Sequence, residues 1–114
     1  MALFSSLFNF SSQYSDKINI LDVPTFKAHL KEKNIQLIDV RTPREFLDGH
    51  IANARNLDYF NQSRFKEEIE KLDKTQPIYL YCRSGNRSQK AARILVDSGF
   101  EKIYDLKGGF MHWT

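Results

Sequence analysis

Segments rich in β-branched and aromatic residues alternate with helix-like segments along most of this chain. Five segments indicate strands: 17–22 (KINILD), 35–41 (IQLIDVR), 52–58 (ANARNLD, the weakest), 77–82 (PIYLYC) and 102–109 (KIYDLKGG). Four segments between them indicate helices: 23–33, 42–50, 62–72 and 88–99. A strand, a helix and a further strand form a βαβ unit whose strands are parallel. The chain is therefore predicted to have an α/β fold, with a mostly parallel central sheet and helices on both faces.

The composition limits the classes of function that the chain can have. Its 114 residues support one domain with a modest core. The net charge of +3 suits small anions, but no long basic run argues for a nucleic-acid partner. The single cysteine excludes an internal disulfide, and no Cys/His spacing suits a metal. We therefore predict no metal site and no cofactor.

The first 15 residues differ in character from the rest and are predicted to be an N-terminal tail, followed by a domain over residues 16–114. The tail lacks the early basic residues and the long apolar run of a secretory signal, and it lacks the arginines of a transit peptide. We expect Phe4, Phe8 and Phe10 to pack on the domain or on a partner. No window approaches the roughly 18 apolar residues of a membrane span, so we predict a cytoplasmic protein without membrane contact.

The stretch CRSGNRS, residues 82–88, places the chain's one cysteine at the end of a predicted strand. Cys82 is followed by a small, polar turn, and the segment up to Val96 contains four cations and no acid: Arg83, Arg87, Lys90 and Arg93. A helix begins near Ser88, so its positive end points at the turn. Successive N–H groups of such a turn can converge on an anion. This pattern favours a reactive thiolate over an inert buried cysteine.

These residues resemble the active-site loop of the rhodanese-like sulfurtransferase family. The resemblance extends to LIDVRTPREFLDGHIANARNL (37–57) and to YDLKGGFMHW (104–113), in the family's order, and covers about residues 16–113. It implies a five-stranded parallel sheet. It also implies that the cysteine takes sulfane sulfur from a donor such as thiosulfate, becomes a persulfide, and passes the sulfur to cyanide, a thiol or a sulfur-relay protein.

The family's site residues carry over onto named positions. Cys82 matches the sulfur-carrying nucleophile, and the loop that cradles the sulfur comprises Arg83, Ser84, Gly85, Asn86, Arg87 and Ser88. Asp39, Arg41 and Glu45 match supporting positions, which we interpret as an ion-pair scaffold. We expect Arg83 and Arg87 to contact the oxygens of an anionic donor. Asn53 stands where the family usually has glycine, so this turn is expected to differ slightly.

Other interpretations compete with sulfur transfer. A rhodanese-like module can bind a protein without catalysis, although such modules often lose the cysteine that this chain keeps. Cysteine phosphatases and arsenate reductases use a similar loop, but the phosphatase loop has five residues between cysteine and arginine. Here four residues separate Cys82 from Arg87, which predicts a cavity that suits one sulfur atom better than a phosphoryl group. His50 is expected to be structural, and His29 to be solvated on its helix.

Overall fold

The computed structural model describes residues 13–113, in which five parallel strands form one sheet with the order β1-β5-β4-β2-β3. The strands are β1 (Ile18–Leu21), β2 (Gln36–Asp39), β3 (Arg55–Asn56), β4 (Ile78–Tyr81) and β5 (Ile103–Leu106). The helices are α1 (Val23–His29), α2 (Pro43–Leu47), α3 (Gln62–Ile69) and α4 (Asn86–Asp97), and a 3₁₀ turn follows at Phe110–His112. The prediction of an α/β fold around a parallel sheet is confirmed. The expected packing of Phe4, Phe8 and Phe10 lies outside the described residues.

Strand β4 is at the centre of the sheet and pairs with β2 on one side and β5 on the other. All four of its residues are buried, as expected for a strand covered on both faces. The strands are parallel, so their carboxyl ends meet at one edge. Cys82 follows β4 directly and Arg41 lies two residues beyond β2, which brings the predicted site to this edge.

Helices cover both faces of the sheet, as predicted. On one face, α3 and α4 pack Phe65, Ile69, Ala91 and Leu95 against Leu80. On the other face, Phe26 of α1 lies in a second cluster with Tyr79, Tyr81, Leu106 and the half-buried Trp113. No helix within residues 13–113 is long and apolar enough to cross a membrane. The same residues contain no group of three His, Cys, Asp or Glu side chains that could hold a metal ion.

Several helix boundaries differ from the sequence prediction: α2 ends at Leu47 and α3 at Ile69, each three residues before the predicted end. Helix α1 ends at His29 instead of reaching residue 33. Helix α4 begins at Asn86, two residues before the predicted start, because Gly85 caps it with a left-handed backbone (φ 108°) that turns directly into the helix. At Asn53 the structure has φ 70°, a left-handed conformation that asparagine tolerates better than most residues, so it can stand where glycine is usual.

Candidate active site

Cys82 lies on the floor of the loop between β4 and α4, with 1% of its surface exposed. The backbone N–H of Gly85 donates a hydrogen bond of 3.0 Å to its Sγ. The Sγ is also 3.5 Å from the hydroxyl oxygen of Ser88, which donates to the carbonyl of Gly85 at 3.2 Å. The loop thus surrounds the sulfur with polar groups while the neighbouring strands keep it out of water.

The predicted ring of converging N–H groups is smaller than expected. Among the described residues, Gly85 is the one whose N–H bonds to the sulfur. Helix α4 begins at Asn86, and the N–H groups of its first turn have no acceptor within the helix.

Arg87 forms a bidentate ion pair with Glu45 of α2, with N···O distances of 2.7 and 2.9 Å. The Arg87 hydrogen bonds, with those of Thr42, lower the pKa of Glu45 to about 2 against the opposing effect of burial. Thr42 also caps α2, and its backbone and hydroxyl both donate to Glu45. The pair connects the loop that follows Cys82 to α2. Two of the five N–H donors of Arg87 are used by Glu45, and the expectation that Arg87 contacts the donor's oxygens stays a prediction.

Asp39 and Arg41 form a separate, buried ion pair at the end of β2. The guanidinium donates to both carboxylate oxygens, with a closest distance of 2.6 Å, and also to the carbonyl of Gly49 at 2.6 Å. Its carbon atom lies 4.4 Å from the ring centre of Phe110. The ion-pair interpretation of Asp39 and Arg41 agrees with these contacts. Glu45, however, pairs with Arg87 and not with Arg41.

The segment after β5 is hydrogen-bonded to the loop that begins at Cys82. The N–H of Phe110 donates to the carbonyl of Cys82 at 2.8 Å, and that of Met111 to the carbonyl of Arg83 at 3.1 Å. Gly109 makes this approach possible, because a Cβ atom there would lie 2.4 Å from the Arg83 carbonyl oxygen. Sequence reasoning recognised the glycine pair as part of a motif and missed this role.

The mouth of the site is polar and partly aromatic. Arg83, Ser84 and Asn86 are exposed around it. The guanidinium of Arg87 lies 5.2 Å from the ring centre of Phe60, whose side chain is 64% exposed. Nothing in the local sequence pattern marked Phe60, because the turn before α3 brings it to Arg87 only in the folded chain.

His50 and His29, for which no role in the chemistry is predicted, do not contact Cys82. His50 stacks on Phe46 with a ring-centre distance of 3.7 Å, and its Nδ1 lies 2.8 Å from the Phe46 carbonyl oxygen. His29 is half-buried, and its Nδ1 lies 2.7 Å from the hydroxyl of Tyr79. The expectation that His29 is solvated is wrong, because α1 turns this side chain toward the aromatic rings of the sheet.

Comparison with known proteins gives consistent similarities. The sequence profile of the rhodanese-like domain matches residues 22–114. The chain is 48% identical over 81 residues to the uncharacterised protein YqhL of Bacillus subtilis, covering 71% of this chain and 62% of YqhL. It is 39% identical over 84 residues to thiosulfate sulfurtransferase GlpE of Coxiella burnetii, covering 74% and 76% of the two chains. The crystal structure of a rhodanese-like domain protein from Staphylococcus aureus superimposes with a TM-score of 0.74 at 26% identity, over 84% of this chain and 91% of the other.

Proposed function

Because the chain belongs to the rhodanese-like domain family, we propose that it is a sulfurtransferase that moves sulfane sulfur through a persulfide on Cys82. The observation that carries the proposal is the buried Sγ, bonded to the Gly85 N–H at 3.0 Å and placed at the N-terminal end of the twelve-residue helix α4. An N–H donor and a helix N-terminus are groups that favour an anion, and the thiolate is the nucleophilic form of cysteine. Relatives named thiosulfate sulfurtransferase add support.

In the first half-reaction the Cys82 thiolate attacks the outer sulfur of the donor. With thiosulfate, a bond forms between Sγ and the outer sulfur, the sulfur–sulfur bond of thiosulfate breaks, and sulfite leaves with the bonding electrons. The transferred sulfur then carries negative charge. The N-terminal end of α4 has partial positive charge and N–H groups without acceptors within the helix, which favours an anion near this end.

In the second half-reaction an acceptor removes the outer sulfur. Cyanide or a thiolate attacks it, the persulfide bond breaks, and Sγ leaves as a thiolate that again accepts from the Gly85 N–H. The sequence has no second cysteine to attack the persulfide. The persulfide therefore waits for an acceptor from outside the chain, either a small molecule or a thiol of a sulfur-relay protein.

The donor that the site fits best is a small anion such as thiosulfate. Arg83 is exposed at the mouth, so its guanidinium can make charge-assisted contacts with sulfonate oxygens. Arg87 supports the loop instead, through its pair with Glu45. Of the two arginines, Arg83 is exposed to an incoming donor, whereas Arg87 is held by Glu45.

Two features argue against phosphatase chemistry. Four residues separate Cys82 from Arg87, one fewer than in the phosphatase loop, and Arg87 is occupied by Glu45. A phosphoryl transition state needs donors around three equatorial oxygens. In this loop, two of the N–H donors of Arg87 are already used by Glu45.

The experiment is a steady-state assay of thiocyanate formation, with thiosulfate and cyanide both varied. We expect parallel double-reciprocal lines, as for a covalent intermediate, and at least about a hundredfold loss of rate in Cys82→Ser. Hydrolysis of an aryl phosphate is measured on the same preparations. Efficient ester hydrolysis without sulfur transfer would replace this proposal with the phosphatase interpretation. Neither activity in a folded parent protein would favour a binding module without catalysis.

A further inference from the structure

Exposed apolar side chains are concentrated around the mouth of the candidate site. In residues 13–113, four large apolar side chains are more than half exposed: Ile20, Leu47, Phe60 and Met111. Ile20 lies on the edge strand β1, whereas the other three lie on segments that border the loop after Cys82. A single exposed apolar side chain needs no explanation, but several around one site are typical of a binding surface. We call Leu47, Phe60 and Met111 the apolar rim.

Phe60 and Leu47 border the loop on the side of Arg87. The ring centre of Phe60 lies 5.2 Å from the guanidinium carbon of Arg87. Leu47 is the last residue of α2, two residues after the Glu45 that pairs with this arginine. The Leu47 side chain is 81% exposed, so the end of α2 presents an uncovered apolar group.

Met111 borders the loop on the side of Arg83. Its backbone N–H donates to the Arg83 carbonyl at 3.1 Å. The neighbouring Phe110 approaches the end of α2, where a Cβ atom at Gly49 would lie 3.9 Å from its ring. The three rim side chains therefore come from three different segments and are distributed around the mouth of the site.

The exposed charges at the mouth are mainly basic. None of the ion pairs within residues 13–113 includes three exposed arginines of these segments: Arg44, Arg64 and Arg83. Residues 82–96 contain no Asp or Glu, although Asp48 and Asp58 offset part of the positive charge elsewhere at the mouth. Complementary charge on a partner would therefore be acidic.

A cavity of about 280 Å³ lies between the start of α2 and the start of α3. It is lined by residues on both sides of Phe60 in the chain, and by Pro43, Phe65 and Arg64. An apolar wall beside an arginine suits a segment that mixes acidic with apolar side chains.

We propose that the apolar rim is the docking surface of a sulfur-acceptor protein, which presents its cysteine on a projecting segment that is both acidic and apolar. The proposal rests on the proposed function, because it identifies the acceptor of the second half-reaction. Cyanide and thiosulfate are too small to cover three side chains on separate segments, so such a rim serves a macromolecule. Cys82 is 1% exposed, so a projecting segment reaches its sulfur where a flat surface does not.

The transfer step is balanced without a further reactant. The acceptor thiolate forms a bond to the outer sulfur of the Cys82 persulfide, and the bond between that sulfur and Sγ breaks. Sγ leaves as a thiolate, and the acceptor cysteine becomes the persulfide.

The test measures transfer from the full chain, loaded with sulfur by thiosulfate and then freed of the donor. The acceptors are three synthetic peptides of equal length, each ending in one cysteine: one acidic and apolar, one acidic and polar, one basic and apolar. The rim variant combines Leu47→Ala, Phe60→Ala and Met111→Ala, and Ile20→Ala is the control because its side chain is exposed far from the mouth, on β1. Each peptide rate is divided by the cyanide rate of the same preparation.

We expect the acidic, apolar peptide to take sulfur about tenfold faster than either of the others, because it alone matches both the rim and the arginines. The rim variant should lose about tenfold in this rate relative to cyanide. Ile20→Ala should stay within about twofold of the parent.

Equal rates for the three peptides, or a rim variant that keeps the preference of the parent, would overturn the docking surface; transfer to cyanide in the same samples would still support the proposed function. A parent protein that gives no sulfur to cyanide would overturn both. Sedimentation velocity is measured on the parent and the rim variant, and a dimer that the rim variant abolishes would assign the rim to a second copy of the chain instead. The peptide comparison on the parent decides even where the rim variant does not fold.

Discussion

Glu45 links the cap of helix α2 to the loop that follows Cys82. It completes the capping box of α2 with Thr42, and the same carboxylate accepts hydrogen bonds from both terminal nitrogens of Arg87. The sequence indicates the cap, because Thr42 stands directly before a proline that suits the first turn of a helix. It did not predict the pairing with Arg87, which is 42 residues away and depends on the packing of α2 against the loop.

The Glu45–Arg87 pair is expected to make stability depend on pH in acid. The pKa of Glu45 is lowered in the folded protein. The pair's contribution to the free energy of unfolding is therefore complete above about pH 4.5 and is lost as the pH falls through about 2. That shift corresponds to about 3 kcal/mol, which solvent screening of the partly exposed pair reduces to about 1–2 kcal/mol. Glu45→Gln should therefore have a lower free energy of unfolding at pH 7 and a flatter dependence on pH.

Urea denaturation at a series of pH values measures this effect. Glu70→Gln is the matched control, since Glu70 forms an exposed pair with Lys74 on the protein surface, and its loss should cost no more than about 0.5 kcal/mol. Equal losses in the two variants would mean that the Glu45–Arg87 pair contributes no more than a surface ion pair.

Gly109→Ala tests the close contact beneath the loop. A Cβ atom at this position would lie 2.4 Å from the Arg83 carbonyl oxygen and 2.6 Å from the Ser84 nitrogen, at φ 70°. We expect a loss of about 1–3 kcal/mol in stability and at least about tenfold in sulfur transfer, because the loop must move. The control is Gly99→Ala, with φ 107° and only a lysine side chain nearby, at 3.5 Å. It should lose stability but keep its transfer rate, and similar rates in both variants would contradict a role for Gly109 in the loop.

At the scale of elements, the alternation of strands and helices was sufficient to predict the parallel sheet. The start of α4 was missed because its cap is Gly85, whose backbone conformation replaces the usual Ser, Thr, Asp or Asn signal. The strand order, with β5 between β1 and β4, depends on contacts distant in sequence, and the element pattern alone does not specify it.

The number of residues in the loop between β4 and α4 is expected to be critical for sulfur transfer. Inserting one glycine after Ser84 separates the Gly85 N–H from the sulfur and Arg87 from Glu45. We expect at least about a hundredfold loss of thiosulfate:cyanide transfer, since the thiolate loses its fixed donor. A glycine inserted after Lys33, in an exposed turn, should leave the rate within about twofold of the parent. Retained transfer in the first insertion variant would show that the loop length is not what selects sulfur chemistry.

At the scale of the whole molecule, the charge of +3 and the exposed Arg83 favour the approach of a doubly charged anion. We expect kcat/KM for thiosulfate to fall about threefold between low and physiological ionic strength, while an uncharged organic donor shows no change. Arg83→Gln should reduce this salt dependence without changing the rate for the uncharged donor. A salt response that is the same for both donors would exclude electrostatic guidance.

The intact mass of the protein after a single exposure to thiosulfate tests the central claim, that Cys82 carries sulfane sulfur. We expect the parent chain to gain the mass of one sulfur atom, to keep it after the donor is removed, and to return to its original mass on addition of cyanide or a thiol. Cys82→Ser should gain nothing. A parent protein that gains no sulfur, or a Cys82→Ser variant that gains as much as the parent, would contradict the account.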